Sequence, residues 1–581
     1  MAARRRAQGE ILTIRVVAAV DFGTHGSGFA WCPVDSVNDA ADRKIYYFDQ
    51  WQDQPVVYPK NLTALLLDGQ DKVIDWGYSA RRALSNAGMR SGAGDLRLVQ
   101  GFKMWLRGGD APANGHLNGT PQQALPLIAA YLRRLREVAV QHITDGGYRE
   151  DEIRWCLTVP AMWTEYQRNA MRKAAERAGF PATPDRLLLI TEPEAAAIHA
   201  FARTPAGAAE LPIMVVDCGG GTVDIAAYRP EPGGRLAQLG HTDGGDLGSS
   251  YINQRFLTGV VKPRFGDALL AHIEQHAPDA LQEMLDAFEG AKRQHDVGRD
   301  TPLSITIPGK IYQLLHSRGG LQRLARMQGG QDFHVLVDSA AADKLFDGVV
   351  RPLTNLVAER IVDMRNLLGD RKAGIRIVLV GGFAQSPYLR SQLTTFLQTR
   401  YGSAVELLIP PDPARAVLAG AVHYTYRPSV VSSRTVELTY GISCSLTFEN
   451  GVDPVRMRFV DDRGIFRCQE RFLVFVRNGE SVAIDRTVTN ELVPNHKADA
   501  QMRYNLLATT EKDPRYSTSP DVRVLGAVTV DLGSAMRLPI DDRKVEVSMC
   551  FGGTEIQVTS RNVHTGHILR TALSFNPDTG S

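Results

Sequence analysis

Two short stretches of this chain have the residue types for phosphate chemistry: Asp21-Phe22-Gly23-Thr24-His25-Gly26 near the start, and Asp217-Cys218-Gly219-Gly220-Gly221-Thr222-Val223-Asp224 in the middle. Glycine has no side chain, so successive backbone N–H groups can close on phosphate oxygens, and the threonine hydroxyl adds a donor. A carboxylate heads each loop, Asp21 in one and Asp217 in the other. That suits Mg2+, which keeps several waters and is held by one or two carboxylates together with substrate phosphates. One such loop alone reads equally well as a hairpin turn. The same residue order twice points to a polyphosphate gripped between two loops.

The elements that position these loops must be strands. Val16-Val17-Ala18-Ala19-Val20 leads into the first loop and Phe29-Ala30-Trp31 follows it; Ile213-Met214-Val215-Val216 and Ile225-Ala226-Ala227-Tyr228 flank the second. Apolar runs on both sides of a tight glycine turn predict two hairpins. Strand-like and helix-like segments alternate up to about residue 427. Residues 125–140 read as a helix, 153–159 as a strand and 164–178 as a helix, with Thr164 and Gln167 in capping-box spacing and Gly179 just past the end. After the apolar run Leu187-Leu188-Leu189-Ile190, Pro193 opens a further helix, so Glu192 falls at a strand-to-helix corner. Open α/β sheets place their ligands at such corners. A third element of this kind is the strand 375–380 followed by Gly381-Gly382, with Ser386 as cap and Pro387 as first residue of the next helix.

Past residue 435 the helical period gives way to short alternating strands. Val545, Val547, Met549 and Phe551 share one face, Glu546 and Ser548 the other, and Gly552-Gly553 turns the chain toward Ile556 and Val558. Arg477-Asn478-Gly479-Glu480 is a similar turn signal between two apolar runs. The expected organisation is a tail at 1–10, an α/β unit at 11–427, a Pro/Ser-containing linker at 428–436, a β-sandwich at 437–575 and a tail at 576–581.

Composition excludes some classes of partner. The chain has 581 residues, 44% hydrophobic and 22% charged, and 66 basic against 64 acidic residues leave a net charge of +2. Such a balance gives no argument for a nucleic-acid or anionic-membrane surface, so neither is expected, and the chain is expected as a monomer. Arg4-Arg5-Arg6 ahead of residues 11–20 has the outline of a signal peptide, but Arg15 interrupts the apolar run and Asp21 stands where small residues should. The six cysteines lie far apart with no metal spacing, as expected of thiols in a reducing compartment. A cytoplasmic location is the expectation.

Taken in order, Asp21-Phe22-Gly23-Thr24, Leu157-Thr158-Val159-Pro160-Ala161, Glu192-Pro193-Glu194-Ala195-Ala196-Ala197, Asp217 to Asp224 and Val378-Leu379-Val380-Gly381-Gly382 resemble the nucleotide-binding domain of the heat-shock protein 70 family. Phe288-Glu289-Gly290-Ala291-Lys292-Arg293 resembles that family's adenosine-contacting helix, and Pro411-Asp412-Pro413 with Ala419-Gly420-Ala421 its final phosphate-domain helix. Phe102-Lys103-Met104, Pro428-Ser429-Val430-Val431, Leu438-Thr439-Tyr440-Gly441 and residues 551–556 resemble its divergent type 12 branch.

The resemblance implies a duplicated actin-like (ribonuclease H-like) α/β ATPase domain followed by an all-β sandwich, with ATP/ADP and Mg2+ as cofactors; the helical lid that follows the sandwich in ordinary members of that family is not expected here. It assigns Asp21 and Asp217 to the hydrated metal, and Thr24 and Thr222 to the β/γ phosphates. Gly23, Gly219, Gly220 and Gly221 would form the backbone cradle, with Glu192 and Asp224 orienting the attacking water. Gly381, Gly382, Glu289, Lys292 and Arg293 would hold the adenosine, and Asp412 counts among the nucleotide contacts. His25 stands where the family has a second small hydroxyl residue. Lys103 is the candidate for the catalytic lysine.

The function implied is an ATP-binding, weakly hydrolysing chaperone that couples nucleotide state to a client polypeptide held by the β-domain. The alternative is a nucleotide-sensing scaffold with little turnover that binds one dedicated protein partner. A small-molecule kinase of the same ATPase superfamily is disfavoured by the β-rich C-terminal part.

Overall fold

The computed structural model describes residues 13–34, 43–88, 96–107, 119–203, 211–551, 553 and 555–572. The expected tails at 1–10 and 576–581, and Gly552 and Thr554 of the last glycine turn, lie outside them. The chain divides into two compact units, the first Met1–Met162, Met171–Ala227 and Asp243–Pro428, the second Trp163–Ala170, Tyr228–Thr242 and Ser429–Ser581.

In the first unit the strand Val16–Phe22 is buried along its whole length and pairs antiparallel with Gly26–Pro33. It also pairs in parallel with Ile153–Val159, which in turn pairs in parallel with Leu187–Thr191. Buried on both faces, these strands read as continuous apolar runs instead of alternating ones. The parallel register aligns their carboxyl ends, which brings Asp21, Thr158 and the corner residue Glu192 to one edge. A second sheet repeats the pattern: Ile213–Cys218 lies beside Val223–Glu231 on one side and pairs in parallel with Ile375–Val380 on the other, Asp217 opposite Val380. Val405–Leu408 extends this sheet in parallel.

The helices follow the capping residues. The helix read over 125–140 spans Pro121–Asp145, opened by a capping box between Thr120 and Gln123. The one read over 164–178 spans Glu165–Arg177, with the Thr164 N–H on Gln167 Oε1 at 2.8 Å and Gly179 beyond it at φ +96°. Ser386 Oγ accepts from the Leu389 N–H at the start of the helix Pro387–Tyr401.

The second unit holds two antiparallel sheets. Five strands run in the order Arg458–Val460, Phe466–Val476, Thr439–Thr447, Gln501–Thr509, Arg523–Asp531, and four in the order Thr487–Leu492, Val545–Cys550, Gln557–Asn562, Ile568–Ala572. Tyr440, Phe475, Leu506 and Val530 of the first sheet share one core with Val545, Val547, Met549 and Val558 of the second. The turn at Arg477–Glu480 is present, with Gly479 at φ +80°. Its flanking strands do not form a hairpin: Phe466–Val476 stays in the five-stranded sheet, whereas Ser481–Ala483 pairs with Val431–Thr435. The reason is that the Gly479 N–H and Glu480 carbonyl bond to Val436, which turns the chain toward that strand. Val431–Thr435 lies within the segment expected as a linker and pairs on its other side with Leu236 and Ala237.

Asp453 ties the loops of this unit together. Its side chain is fully covered and accepts from Arg471 Nη1 at 3.1 Å, Arg515 Nη2 at 2.8 Å, the Tyr516 hydroxyl at 2.9 Å and the Glu449 N–H at 2.9 Å. Burial alone would raise its pKa, but the Glu449 N–H, Tyr516 and Arg515 hold it at about 2. Because the folded value lies below the ordinary one of 3.8, this contribution to stability is complete above about pH 4 and is lost as pH falls through about 2. Asp453→Ala strands two arginines and is expected to cost the second unit about 3 kcal/mol at neutral pH. Urea unfolding at pH 7 and pH 2.5 measures both effects, and the gap between the two proteins should narrow at the lower pH.

Candidate nucleotide site

The site lies in the first unit, and the two glycine loops meet there. A Cβ on Gly220 would sit 2.2 Å from His25 Nδ1, and one on Gly221 would sit 3.3 Å from Thr24 Oγ1, so the loop tips abut. The second loop is strapped from behind by residues 248–250. The Ser249 and Ser250 N–H groups donate to the carbonyls of Gly219 and Gly220, and Ser250 Oγ reaches the Gly220 carbonyl at 2.7 Å. A Cβ on Gly248 would lie 2.3 Å from that carbonyl oxygen, so only glycine permits the approach. With its carbonyls occupied, the loop presents its N–H groups. Those of Thr24, Gly220 and Gly221 have no acceptor among the described residues, which leaves an open anion cradle.

Four acidic side chains surround the cradle. Asp21 accepts from the Thr158 hydroxyl at 2.8 Å through Oδ1 and pairs with Lys60 Nζ at 2.5 Å through Oδ2. Burial would raise its pKa, but Lys60, Lys103 and Thr158 together hold it below the usual carboxylate value. Glu192 Oε1 takes a 2.7 Å hydrogen bond from Lys103 Nζ, whose side chain is 3% exposed. Burial, and the nearby Asp21 and Asp224, nevertheless keep the Glu192 carboxyl above its ordinary value. Asp224 accepts from the Ala161 and Met162 N–H groups and from the Thr222 hydroxyl, which is thereby committed as a donor. Among the described residues the Thr24 hydroxyl, by contrast, meets only the Met104 sulfur, a weak acceptor.

Asp217 is different. It is buried, no described residue gives it a hydrogen bond or ion pair, and burial with the fields of Glu192 and Asp224 pushes its pKa well up. The sheet beside it makes room: Gly381 has φ +89°, and a Cβ there would lie 2.4 Å from Asp217 Oδ1. Among the described residues no three His, Cys, Asp or Glu side chains form a metal cage. An unneutralised carboxylate beside an anion cradle is instead the donor set for a hydrated Mg2+ that arrives with phosphate, so the residues present fit that ion.

Of the residues assigned to adenosine, Glu289, Lys292 and Arg293 sit on and just after the helix Pro278–Lys292, whereas Gly381 and Gly382 follow the strand Ile375–Val380. Lys292 is buried and donates to the Ser249 carbonyl at 3.0 Å and Asn253 Oδ1 at 2.8 Å, while pairing with Glu289 Oε2 at 2.5 Å. It therefore braces the strap behind the second loop. Glu289 is half-buried; desolvation would raise its carboxyl, but Lys292 chiefly holds it at about 2. Arg293 projects outward with a side chain 73% exposed and touches Glu289 at 3.5 Å. Gly382 borders open space, and Asp412 pairs with Arg415 at 2.8 Å. His25 is exposed at the tip of the first loop, facing Gly220. The residues that sequence reasoning gave no role are Lys60, Ser249, Ser250 and Asn253, together with Thr158, which stands in one of the recognised strings.

Paired hairpins gripping one acidic crevice define an actin-like nucleotide-binding fold followed by a β-domain. The Hsp70 protein family profile matches residues 109–424, and the chain belongs to the Hsp70 family, whose members bind ATP and ADP with Mg2+. Similarity extends over nearly the whole length to heat shock 70 kDa protein 12A of Mus musculus, 27% identical over 97% of this chain and 92% of that one. Heat shock 70 kDa protein 12B of Homo sapiens is 28% identical over 96% of this chain and 91% of its own length. The chaperone protein DnaK of Thermotoga neapolitana is 26% identical over 51% of this chain and 44% of its own. Among the described residues no helix is long and apolar enough to cross a membrane.

Proposed function

We propose that this protein binds Mg2+-ATP between its two glycine loops, hydrolyses it slowly, and couples nucleotide state to polypeptide binding by its β-domain. The observation that carries the reading is the unneutralised, buried Asp217 beside two abutting loops whose N–H groups are open. The repeated hairpin-plus-parallel-strand pattern supports a duplicated actin-like domain.

In this reading the Gly220, Gly221 and Thr24 N–H groups take phosphate oxygens, and Asp217 holds hydrated Mg2+, whose charge offsets that of the phosphates. Phosphoryl transfer needs little beyond positioning and charge stabilisation. Glu192 and Asp224 orient the water, and slow turnover follows from their engagement: one Glu192 oxygen is tied to Lys103, and Asp224 is held by the backbone of Ala161 and Met162. Asp21 and Lys292 act as positioning residues for the first loop and the strap.

A second reading, a scaffold that senses nucleotide with little turnover and binds one protein partner, is favoured by the pairing of Val431–Thr435 on both sides, since a strand so held is not a free linker. Phosphate release with and without an extended apolar peptide separates the two. Stimulation by peptide is expected for the chaperone. Background release despite ATP binding would favour the scaffold.

A further inference from the structure

Asp21 heads the first loop as Asp217 heads the second, yet the two carboxylates are treated differently. Both Asp21 oxygens are taken, one by Thr158 and one by Lys60, whereas Asp217 has no partner among the described residues. Lys60 is fixed in place by the hairpin itself. Its neighbours Asn61 and Leu62 pair with Ser27 and Gly26, its carbonyl accepts from Gln54 Nε2 at 3.3 Å, and its Cβ would be 3.4 Å from a Cβ on Gly26.

The ammonium has three N–H groups. Among the described residues only the contact to Asp21 Oδ2 is made, and the side chain keeps 15% exposure at the edge of the crevice. Asp217 also attracts it, so its charge is felt at both stems. Across the crevice, the four acids Asp21, Glu192, Asp217 and Asp224 face the two lysines Lys60 and Lys103, an excess of negative charge into which a triphosphate must enter.

We propose that Lys60 is a phosphate-binding residue for the nucleotide reading above: anchored on Asp21, its ammonium donates its remaining N–H groups to the terminal phosphate. From the stretch that pairs with the first hairpin, it supplies the positive charge that a metal on Asp21 would otherwise bring. Asp217 is then the only one of the two stem carboxylates open to hydrated Mg2+, and nucleotide binding does not depend strictly on the metal.

The test is calorimetric titration of the full chain with ATP and with ADP, in Mg2+ and in EDTA. For the parent, chelation is expected to weaken ATP binding by about 100-fold, the loss also expected of Asp217→Asn in Mg2+. Lys60→Met should then weaken ATP binding in EDTA by a further factor of about 100, the range for losing hydrogen bonds to a charged group, with a smaller effect on ADP. Lys60→Arg should retain most of the affinity. Because Lys60→Met leaves Asp21 buried without its counterion, the double variant Asp21→Asn/Lys60→Met removes both charges together. It should stay weak in EDTA if Lys60 binds phosphate. Recovery of parental affinity in the double variant would mean that the lysine merely neutralises Asp21 and would overturn the proposal. So would a parent whose ATP binding falls by three orders of magnitude in EDTA. A parent that binds no nucleotide even with Mg2+ removes the nucleotide reading itself, and this inference with it.

Discussion

Asp217→Asn is expected to raise the melting temperature of the nucleotide-free protein by a few degrees while weakening Mg2+-ATP binding about 100-fold. The two effects share one cause. A carboxylate buried without a counterion is costly, and Asp217 is pushed well above its ordinary pKa by burial and by Glu192 and Asp224. An amide of the same shape removes that repulsion, but it is a poor substitute for an anionic ligand to a hard cation. The sign of the pH dependence follows. With the folded pKa above the unfolded one, the folded state holds this proton more tightly, so stability is fully present below the ordinary carboxylate range and is lost as pH rises through the folded value. The gain from Asn should therefore be absent near pH 4 and grow toward pH 8, as thermal melts across that range would reveal. A variant less stable than the parent at pH 8 would mean that Asp217 has a partner in solution.

Gly420→Ala should be the most damaging conservative change in the first unit. The helix Ala416–Tyr426 crosses the helix Glu192–Ala202, and a Cβ on Gly420 would lie 1.6 Å from the Ala195 carbonyl oxygen and 2.3 Å from its carbon. Both obstacles are backbone, so no side chain can swing aside and the helices must part. Overpacking of this kind costs about 3 kcal/mol. Because Glu192 opens the displaced helix, its contact with Lys103 should loosen as well. Chemical denaturation reads the stability loss. A loss below about 0.5 kcal/mol would show that the crossing is not as tight as the contact demands.

What was legible in the sequence is what local chemistry encodes. Both loops, the apolar strands around them and the cap-and-proline helix starts at Pro193 and Pro387 are consecutive-residue signals, and the structure brings Asp21, Thr24, His25, Glu192, Gly219 to Gly221 and Asp224 around one crevice. The alternating Val545 to Phe551 run was likewise readable, because one face of a sheet must be apolar where it meets a core. Lys60 was not. A lysine after proline in a short irregular stretch reads as a solvated turn, and only pairing of Asn61 and Leu62 with the first hairpin turns it inward. The strap at 248–250 was hidden for the same reason, since the partners of Ser249 and Ser250 are backbone carbonyls 30 residues earlier. Lys292 and Arg293 look alike in sequence, yet helix geometry buries one and exposes the other.

The most direct test is titration of the full-length protein with ATP in the presence of Mg2+, parent beside Asp217→Asn. A single ATP bound per chain, with affinity lost in the variant, is the expected result. Parent and variant binding equally well, or neither binding at millimolar nucleotide, would contradict the claim that the paired glycine loops and Asp217 form the nucleotide site.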